Sequence, residues 1–367
     1  MKNIPLILMG CGGVGRQLLQ HIVSCRSLHS TQGLCLRVVG VGDSTSLLVS
    51  DDLLHKGLDD TVLLQLCRVK SAGESLSKLW EGRAFGHPES EGKILEIASQ
   101  LGRKTGLVLV DCSASFDTVV VLKQAIHMGC CAVLANKKPL TSSMDISAHG
   151  PSFYLDTNAQ VGAGLPVIAS LNRIICSGDP VHQIIGSLSG TLGYVMSEVE
   201  DGKPLSQVVK DAKSLGYTEP DPRDDLGGMD VARKALILAR ILGHQINLDS
   251  IQIESLYPKE MGPDIMTVED FLDRGLSLLD KDIQARVEKA ASNGNVLRYA
   301  SIVCEVGIQE LPKNSPLGRL RGSDNVLEIY TRCYSKQPLV IQGAGAGNDT
   351  TAAGVLADIV DLQDLFS

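Results

Sequence analysis

The chain has 367 residues, enough for two domains with sizeable cores, because one domain takes roughly 100–200 residues. Its 44% hydrophobic and 21% charged residues, with one Trp and few other aromatics, describe an α/β protein built on Val, Ile, Leu, Ala and Gly. A formal charge of −8 argues against nucleic acid or an anionic membrane as partner, since those surfaces recruit basic proteins.

The opening run "IPLILMG" is continuously apolar and ends in glycine, as a central parallel strand buried on both faces requires. Its glycines, and the lack of a small-residue cleavage site after it, separate it from a secretory leader, so the folded domain is expected to start at residue 1. "GVGRQLLQHIVSC" then takes up helical spacing. "LCLRVVGVGD" reads as a second strand, with "GLVLVDCSA" and "CAVLAN" as two more and helical patterns between them. This alternation implies a Rossmann-type doubly wound parallel sheet over residues 1–155. Ten cysteines follow no metal or disulfide spacing and are expected as buried free thiols in a reducing compartment. No uninterrupted apolar run reaches the ~20 residues of a spanning helix. A cytoplasmic protein is expected, or an organellar one if a transit peptide has been removed.

The pattern changes after Gly150. "SFYLDTNAQVGAGLPVIASLNRII" mixes a strand, a glycine turn and a helix, "VHQIIGSLSGTLGYVMSEVE" leads a strand through Gly and Thr into a helix, and "PLSQVVKDAKSLG" is a helix with a glycine stop. "LRYASIVCEVGIQELP" and "VLEIYTRCYSKQPLVIQG" alternate as antiparallel strands do. An inserted α+β domain with a mixed sheet is therefore expected over residues 156–337. The tail "GAGAGNDTTAAGVLADIVDL" returns to Gly-then-helix chemistry, so residues 338–367 are expected to complete the first domain.

Gly10, Gly12 and Gly15 form G-x-G-x-x-G between the first strand and the first helix. Glycine there permits a tight turn and lets backbone N–H groups at the helix N-terminus, Gly13 and Val14 among them, approach a pyrophosphate. A plain glycine turn is the alternative, and the strand–turn–helix setting weighs against it. Asp43 closes the second strand where a carboxylate accepts hydrogen bonds from a ribose 2′-hydroxyl and repels a 2′-phosphate, which leans towards NAD. It also reads as the start of the turn "GDSTS", and a nearby Lys or Arg would accommodate NADP instead.

The stretch "GYTEPDPRDDLGGMDVARKALILARILG" places Glu219, Asp221, Asp224, Asp225 and Asp230 around two prolines and then enters an apolar helix. Asp230 and Lys234 are four apart and share one helix face. A solvated surface pair after an acidic turn is the plain reading. The apolar helix favours another, in which carboxylates bind an ammonium group of a small zwitterionic substrate and the Lys acts on an oxygen.

"YTEPDPRDDLGGMDVARK" resembles the signature of the homoserine dehydrogenase family, and "NKKPL", "VGAGLP", "SGTLGY", "QGAGAG" and "TAAGVLAD" resemble further segments of it, spread from residue 10 to about residue 358. The resemblance implies that Asp230 and Lys234 sit at the reacting centre, that Glu219 and Asp225 hold the substrate's amino group, and that Lys137 lies where cofactor and substrate meet. It assigns Gly190 and Thr191, after Ser189, to a substrate-side loop. Gly343, Gly345 and Gly347 fall in the segment that returns beside the nicotinamide, and Ser113 falls where the family has a hydroxyl residue near the cofactor. A monovalent cation such as sodium is implied on the backbone carbonyls of Val161, Ala163 and Leu165, with Asn158 where the family has Glu. A homodimer through the sheet of the second domain is implied as well. The chain ends soon after the returning helix, so neither an appended regulatory domain nor a fused aspartate kinase is expected.

The expected activity is reversible, NAD- or NADP-dependent reduction of L-aspartate 4-semialdehyde to L-homoserine, on the route to threonine, methionine and isoleucine. Two alternatives stand beside it. One is a non-catalytic dinucleotide sensor, against which the intact set Glu219, Asp225, Asp230, Lys234 and Lys137 argues. The other is an oxidoreductase for a different amino-acid semialdehyde or a 2-hydroxy acid, although the latter would want an Arg to clamp its carboxylate.

Overall fold

The computed structural model describes residues 1–76, 84–86, 89–142, 155–156, 161–302 and 304–366. They form two units, Met1–Gly164 with Gly347–Ser367, and Leu165–Ala346.

The first unit holds strands β1 (Lys2–Met9), β2 (Leu34–Gly42), β3 (Ser46–Val49), β4 (Ala84–Gly86), β5 (Val108–Asp111), β6 (Cys131–Leu134) and β7 (Leu155–Asp156), in the order β4-β3-β2-β1-β5-β6-β7. β1 runs parallel to β2 and β5, and β6 and β7 continue the parallel run. β1 can be apolar throughout because helices cover both faces. Ile4, Leu6 and Leu8 pack with helices Gly13–Ser24, Asp60–Ser71 and Asn348–Asp361, while Ile7 and Met9 pack with Glu89–Leu101 and Thr118–His127. The doubly wound sheet is as the alternation requires, with one addition: β3 and β4 extend it as an antiparallel edge. Strand order reverses at β1, between β2 and β5, and it is outside the carboxyl ends of strands at such a switch point that a crevice forms.

The second unit is built on β8 (Val181–Ser187), β9 (Gln252–Ile253), β10 (Asn295–Ile302), β11 (Glu305–Pro312), β12 (Asp324–Thr331) and β13 (Leu339–Ala344), ordered β13-β12-β8-β10-β11-β9. All pairings are antiparallel except β9 with β11, so the sheet is mixed. Leu297, Tyr299, Val306 and Ile308 of this sheet share a core with helices Gly190–Glu200, Leu205–Ser214, Met229–Ile241 and Asp280–Ser292. Arg298, fully buried, is matched by Glu200 Oε2 at 2.7 Å and by the carbonyls of Leu317, Gly318 and Leu320, as a buried charge must be.

The borders between units differ from the sequence expectation. The chain crosses after Gly164 and Ala346, rather than near 155 and 337. β7 pairs with β6 in the first unit, and residues 339–344 pair with β12 and so belong to the second. All ten cysteines are free; Cys11, Cys67, Cys130 and Cys131 are buried, whereas Cys176 and Cys333 are exposed. No described helix is long and apolar enough to cross a membrane.

Candidate active site

A cavity of about 890 Å³ opens at the carboxyl ends of β1, β2 and β5, with Gly10, Gly12, Asp43, Lys70, Ser113 and Phe116 among its lining. Three glycines shape the turn beside it in three different ways. Gly10 has φ +95°, and a Cβ there would lie 2.6 Å from the Ser113 nitrogen. At Gly15 a Cβ would lie 2.1 Å from the Gly10 carbonyl, so this glycine lets the helix seat against the turn. A Cβ at Gly12 would meet nothing within 4 Å. The open approach to backbone amides therefore lies over Gly12, and these residues fit a dinucleotide pyrophosphate. Gly13 serves a different purpose, because a Cβ there would strike the Asn348 side chain at 2.5 Å. Val14 packs against the core.

Asp43 lines the cavity, but its carboxylate is engaged by its own surroundings, with the side chain only 5% exposed. Oδ1 accepts from the amides and hydroxyls of Thr45 and Ser46, and Oδ2 accepts from Lys70 Nζ at 2.9 Å and the Leu76 amide at 3.2 Å. Burial pushes this carboxyl up, yet the Lys70 ammonium and the Thr45, Leu76 and Ser46 amides outweigh it and hold it well below the ordinary carboxylate range. The turn reading of Asp43 is thus realised in the structure. The cation beside it, Lys70, had no local signal in the sequence, because it reaches the turn from the helix Asp60–Ser71.

Ser113 faces the same cavity and is fixed through its amide, which donates to Asp111 Oδ1 at 2.9 Å. Lys137 immediately precedes the short helix Lys138–Thr141 and is half-buried. Its neighbour Lys138 lines the cavity, with Nζ 4.6 Å from the centre of the Phe116 ring. Sequence reasoning missed both Lys138 and Phe116.

In the second unit, the helix Met229–Ile241 starts at Gly228, whose φ of +74° suits only glycine, all the more because a Cβ would lie 1.9 Å from Tyr299 Oη. The apolar positions of the helix turn its Asp230–Lys234 face to the end of β8. Lys234 is buried; its Nζ donates to the Leu188 carbonyl at 2.6 Å and lies 2.9 Å from Asp230 Oδ2. This is no solvated surface pair, since the ammonium has left water and is compensated by a carboxylate and a carbonyl dipole.

Three residues beyond Leu188, Thr191 sits in the first turn of the helix Gly190–Glu200, which Ser189 caps by accepting from the Leu192 amide at 3.2 Å. Thr191 Oγ1 donates to the Tyr217 carbonyl at 2.5 Å and to Asp225 Oδ1 at 3.1 Å, while Asp225 Oδ2 accepts from the Glu219 amide at 2.8 Å. The segment Leu188–Thr191 therefore touches the lysine at one end and the acidic loop at the other. Gly190 is close-packed, with a Cβ position 3.0 Å from the Ser323 carbonyl. Glu219 is exposed. Asp221 has a structural task instead, as the partner of buried Arg223, which also donates to the Met261 and Met266 carbonyls. The "PDPR" spacing carried that signal, unread: Asp221 accepts from both the amide and the guanidinium of Arg223.

Gly343 lies in β13 opposite Asn325. Gly345 packs against the buried Asn325 carboxamide, and Gly347, at φ +119°, precedes the helix Asn348–Asp361. Of the residues expected around a monovalent cation, Asn158 lies outside the described residues. Val161 is buried, Ala163 has φ +55°, and the Leu165 carbonyl accepts from the Val167 amide at 2.8 Å. Among the described residues no group of three His, Cys, Asp or Glu side chains could hold a metal ion.

Residues 166–360 match the family model described as homoserine dehydrogenase. A bifunctional aspartokinase/homoserine dehydrogenase of Haemophilus influenzae is 33% identical over 98% of this chain, which spans only 43% of that relative's length. A homoserine dehydrogenase of Paracoccidioides brasiliensis is 38% identical over 73% of this chain and 78% of its own. Among solved structures, a Candida auris protein described as of unknown function superposes with a TM-score of 0.85 at 31% identity, covering 100% of this chain and 99% of that one.

Proposed function

The chain belongs to the homoserine dehydrogenase family, and from that premise we propose that it interconverts L-aspartate 4-semialdehyde and L-homoserine with a nicotinamide dinucleotide. The observation that carries this reading is the buried Lys234, held by Asp230 and the Leu188 carbonyl beside a loop of carboxylates. When bound, the nicotinamide supplies or accepts the hydride. The chain's own residues then manage charge. As the aldehyde is reduced, negative charge builds on its oxygen, and Lys234 stabilises it and gives up a proton; in the reverse direction the same amine takes the alcohol proton. Asp230 and Leu188 fix Nζ in place, so its reorganisation costs little when the charge appears. Asp225 and Glu219 bind the substrate's ammonium, with Thr191 orienting Asp225. The family resemblance implies a second cationic role for Lys137.

The cofactor pocket supports NADP more than the Asp43 position alone suggests. Lys70 lines the same cavity beside Asp43, and a 2′-phosphate at that end would draw the Lys70 ammonium from its pair with Asp43. The homodimer is part of the same proposal, and the mass of the protein in solution tests it. The decisive assay follows absorbance of the reduced nicotinamide with homoserine and with aspartate semialdehyde, each with NAD(H) and NADP(H). Turnover of both substrates supports the reading, and no turnover by protein that binds dinucleotide overturns it.

A further inference from the structure

We propose that Asp111 and Asn136 are positioning residues for Lys137, acting as a buried clasp between the two loops that follow β5 and β6. The inference rests on the catalytic reading of Lys137 above.

Asp111 is the last residue of β5 and is fully buried; Asn136 follows β6 and is 5% exposed. Their side chains meet directly, with Asn136 Nδ2 donating to Asp111 Oδ2 at 3.0 Å. Each then reaches into a different loop. Asp111 takes the Ser113 amide on Oδ1 and the Thr118 hydroxyl, at 2.7 Å, on Oδ2, which folds residues 112–118 over the cavity. Asn136 Nδ2 also donates to the Ser115 carbonyl at 2.8 Å, in the same loop. Its Oδ1 accepts from the Lys138 amide at 3.1 Å, across Lys137. Lys137 is thus spanned by a ring closed from the side chain before it to the amide after it, and that ring is anchored to β5. The backbone agrees, because the amides of Ala135 and Asn136 both donate to the Asp111 carbonyl.

A core carboxylate facing a core carboxamide is costly to build unless all its bonds are made. Apolar residues would close the end of this sheet at less risk. The clasp has what a packing role does not call for: it fixes one backbone position, that of Lys137, from two directions. A displacement of about 1 Å at a reacting group costs up to roughly a hundredfold in rate, which is the scale on which such a device acts.

The test is a double-mutant cycle of Asn136→Ala and Lys137→Ala, with kcat, homoserine KM, dinucleotide Kd by fluorescence of the reduced nicotinamide, and melting followed for each protein. Asn136→Ala alone is expected to lower kcat by between about tenfold and a hundredfold. In the Lys137→Ala background it should add almost nothing, because the group it positions is gone. Equal effects in both backgrounds, or an unchanged kcat in the single variant, overturn the proposal. Should Asn136→Ala fail to fold, Asn136→Asp replaces it. That variant replaces the donor at 3.0 Å from Asp111 Oδ2 with a second carboxylate, so kcat should drop, and only when Lys137 is present. If the wild type binds dinucleotide but does not turn over homoserine, the family activity fails rather than the clasp. The same cycle read in dinucleotide Kd then decides the clasp, with coupling supporting it and additivity overturning it.

Discussion

Lys234 and Asp230, one helical turn apart, form an ion pair of 2.9 Å in which the lysine is buried and the aspartate half-exposed. The exposed partner keeps the pair open to a substrate while the buried one holds still. Lys234→Ala is expected to lower kcat by at least about a hundredfold, the scale of general acid–base effects, with the protein still folded. Steady-state kinetics beside a melting curve decide it, and a kcat close to wild type removes Lys234 from the mechanism.

Two glycines of one motif should respond oppositely to the same substitution. Gly15→Ala drives a methyl group into the Gly10 carbonyl at 2.1 Å and should destabilise the first unit by about 1–3 kcal/mol, as overpacking does. Gly12→Ala meets only open space, so melting should hold while dinucleotide affinity drops. Equal melting temperatures for the two variants would contradict the assignment of these positions.

Asp43 and Lys70 separate stability from cofactor choice. Folding lowers the Asp43 carboxyl below its ordinary value, so its stabilisation is present above the unfolded value of about 4 and is lost as pH falls through the folded one. Asp43→Asn should therefore melt earlier than wild type at neutral pH, and the gap should narrow in acid. Lys70→Ala should raise KM for NADP more than for NAD; a uniform change would return the selectivity question to other residues.

At Asp225 the sign is reversed. Burial pushes this carboxyl up, the Glu219 amide and Thr191 hydroxyl pull it partly back, and the charges of Glu219 and Asp224 push it up again. Its proton is held more tightly folded than unfolded, so stability falls as pH rises from the ordinary value through the raised one. A bound ammonium offsets that cost only once the carboxylate is ionised. Homoserine KM should accordingly fall as pH rises through this window. In Asp225→Asn that slope should vanish and KM should rise about tenfold, the worth of one charge-assisted hydrogen bond. A slope that survives the substitution would assign it to another group.

What the sequence by itself determined is what short-range geometry encodes. A two-residue alternation or an apolar run states how many faces a strand buries, so the doubly wound sheet around "IPLILMG" and the mixed character of the second sheet were legible. Helical period put Asp230 and Lys234 on one face, and the G-x-G-x-x-G spacing marked a turn with open amides. Other features depend on partners far along the chain. The Leu188 carbonyl that receives Lys234 comes from the end of β8, the lysine that occupies Asp43 comes from a helix, and β13 joins the second unit because it pairs with β12. A carboxylate in a turn looks the same in sequence whether it faces a ribose or is already spent on neighbouring amides. Only the packed chain decides, because the cost of leaving a buried charge or amide unpaired is settled by whichever groups the topology brings within hydrogen-bond reach.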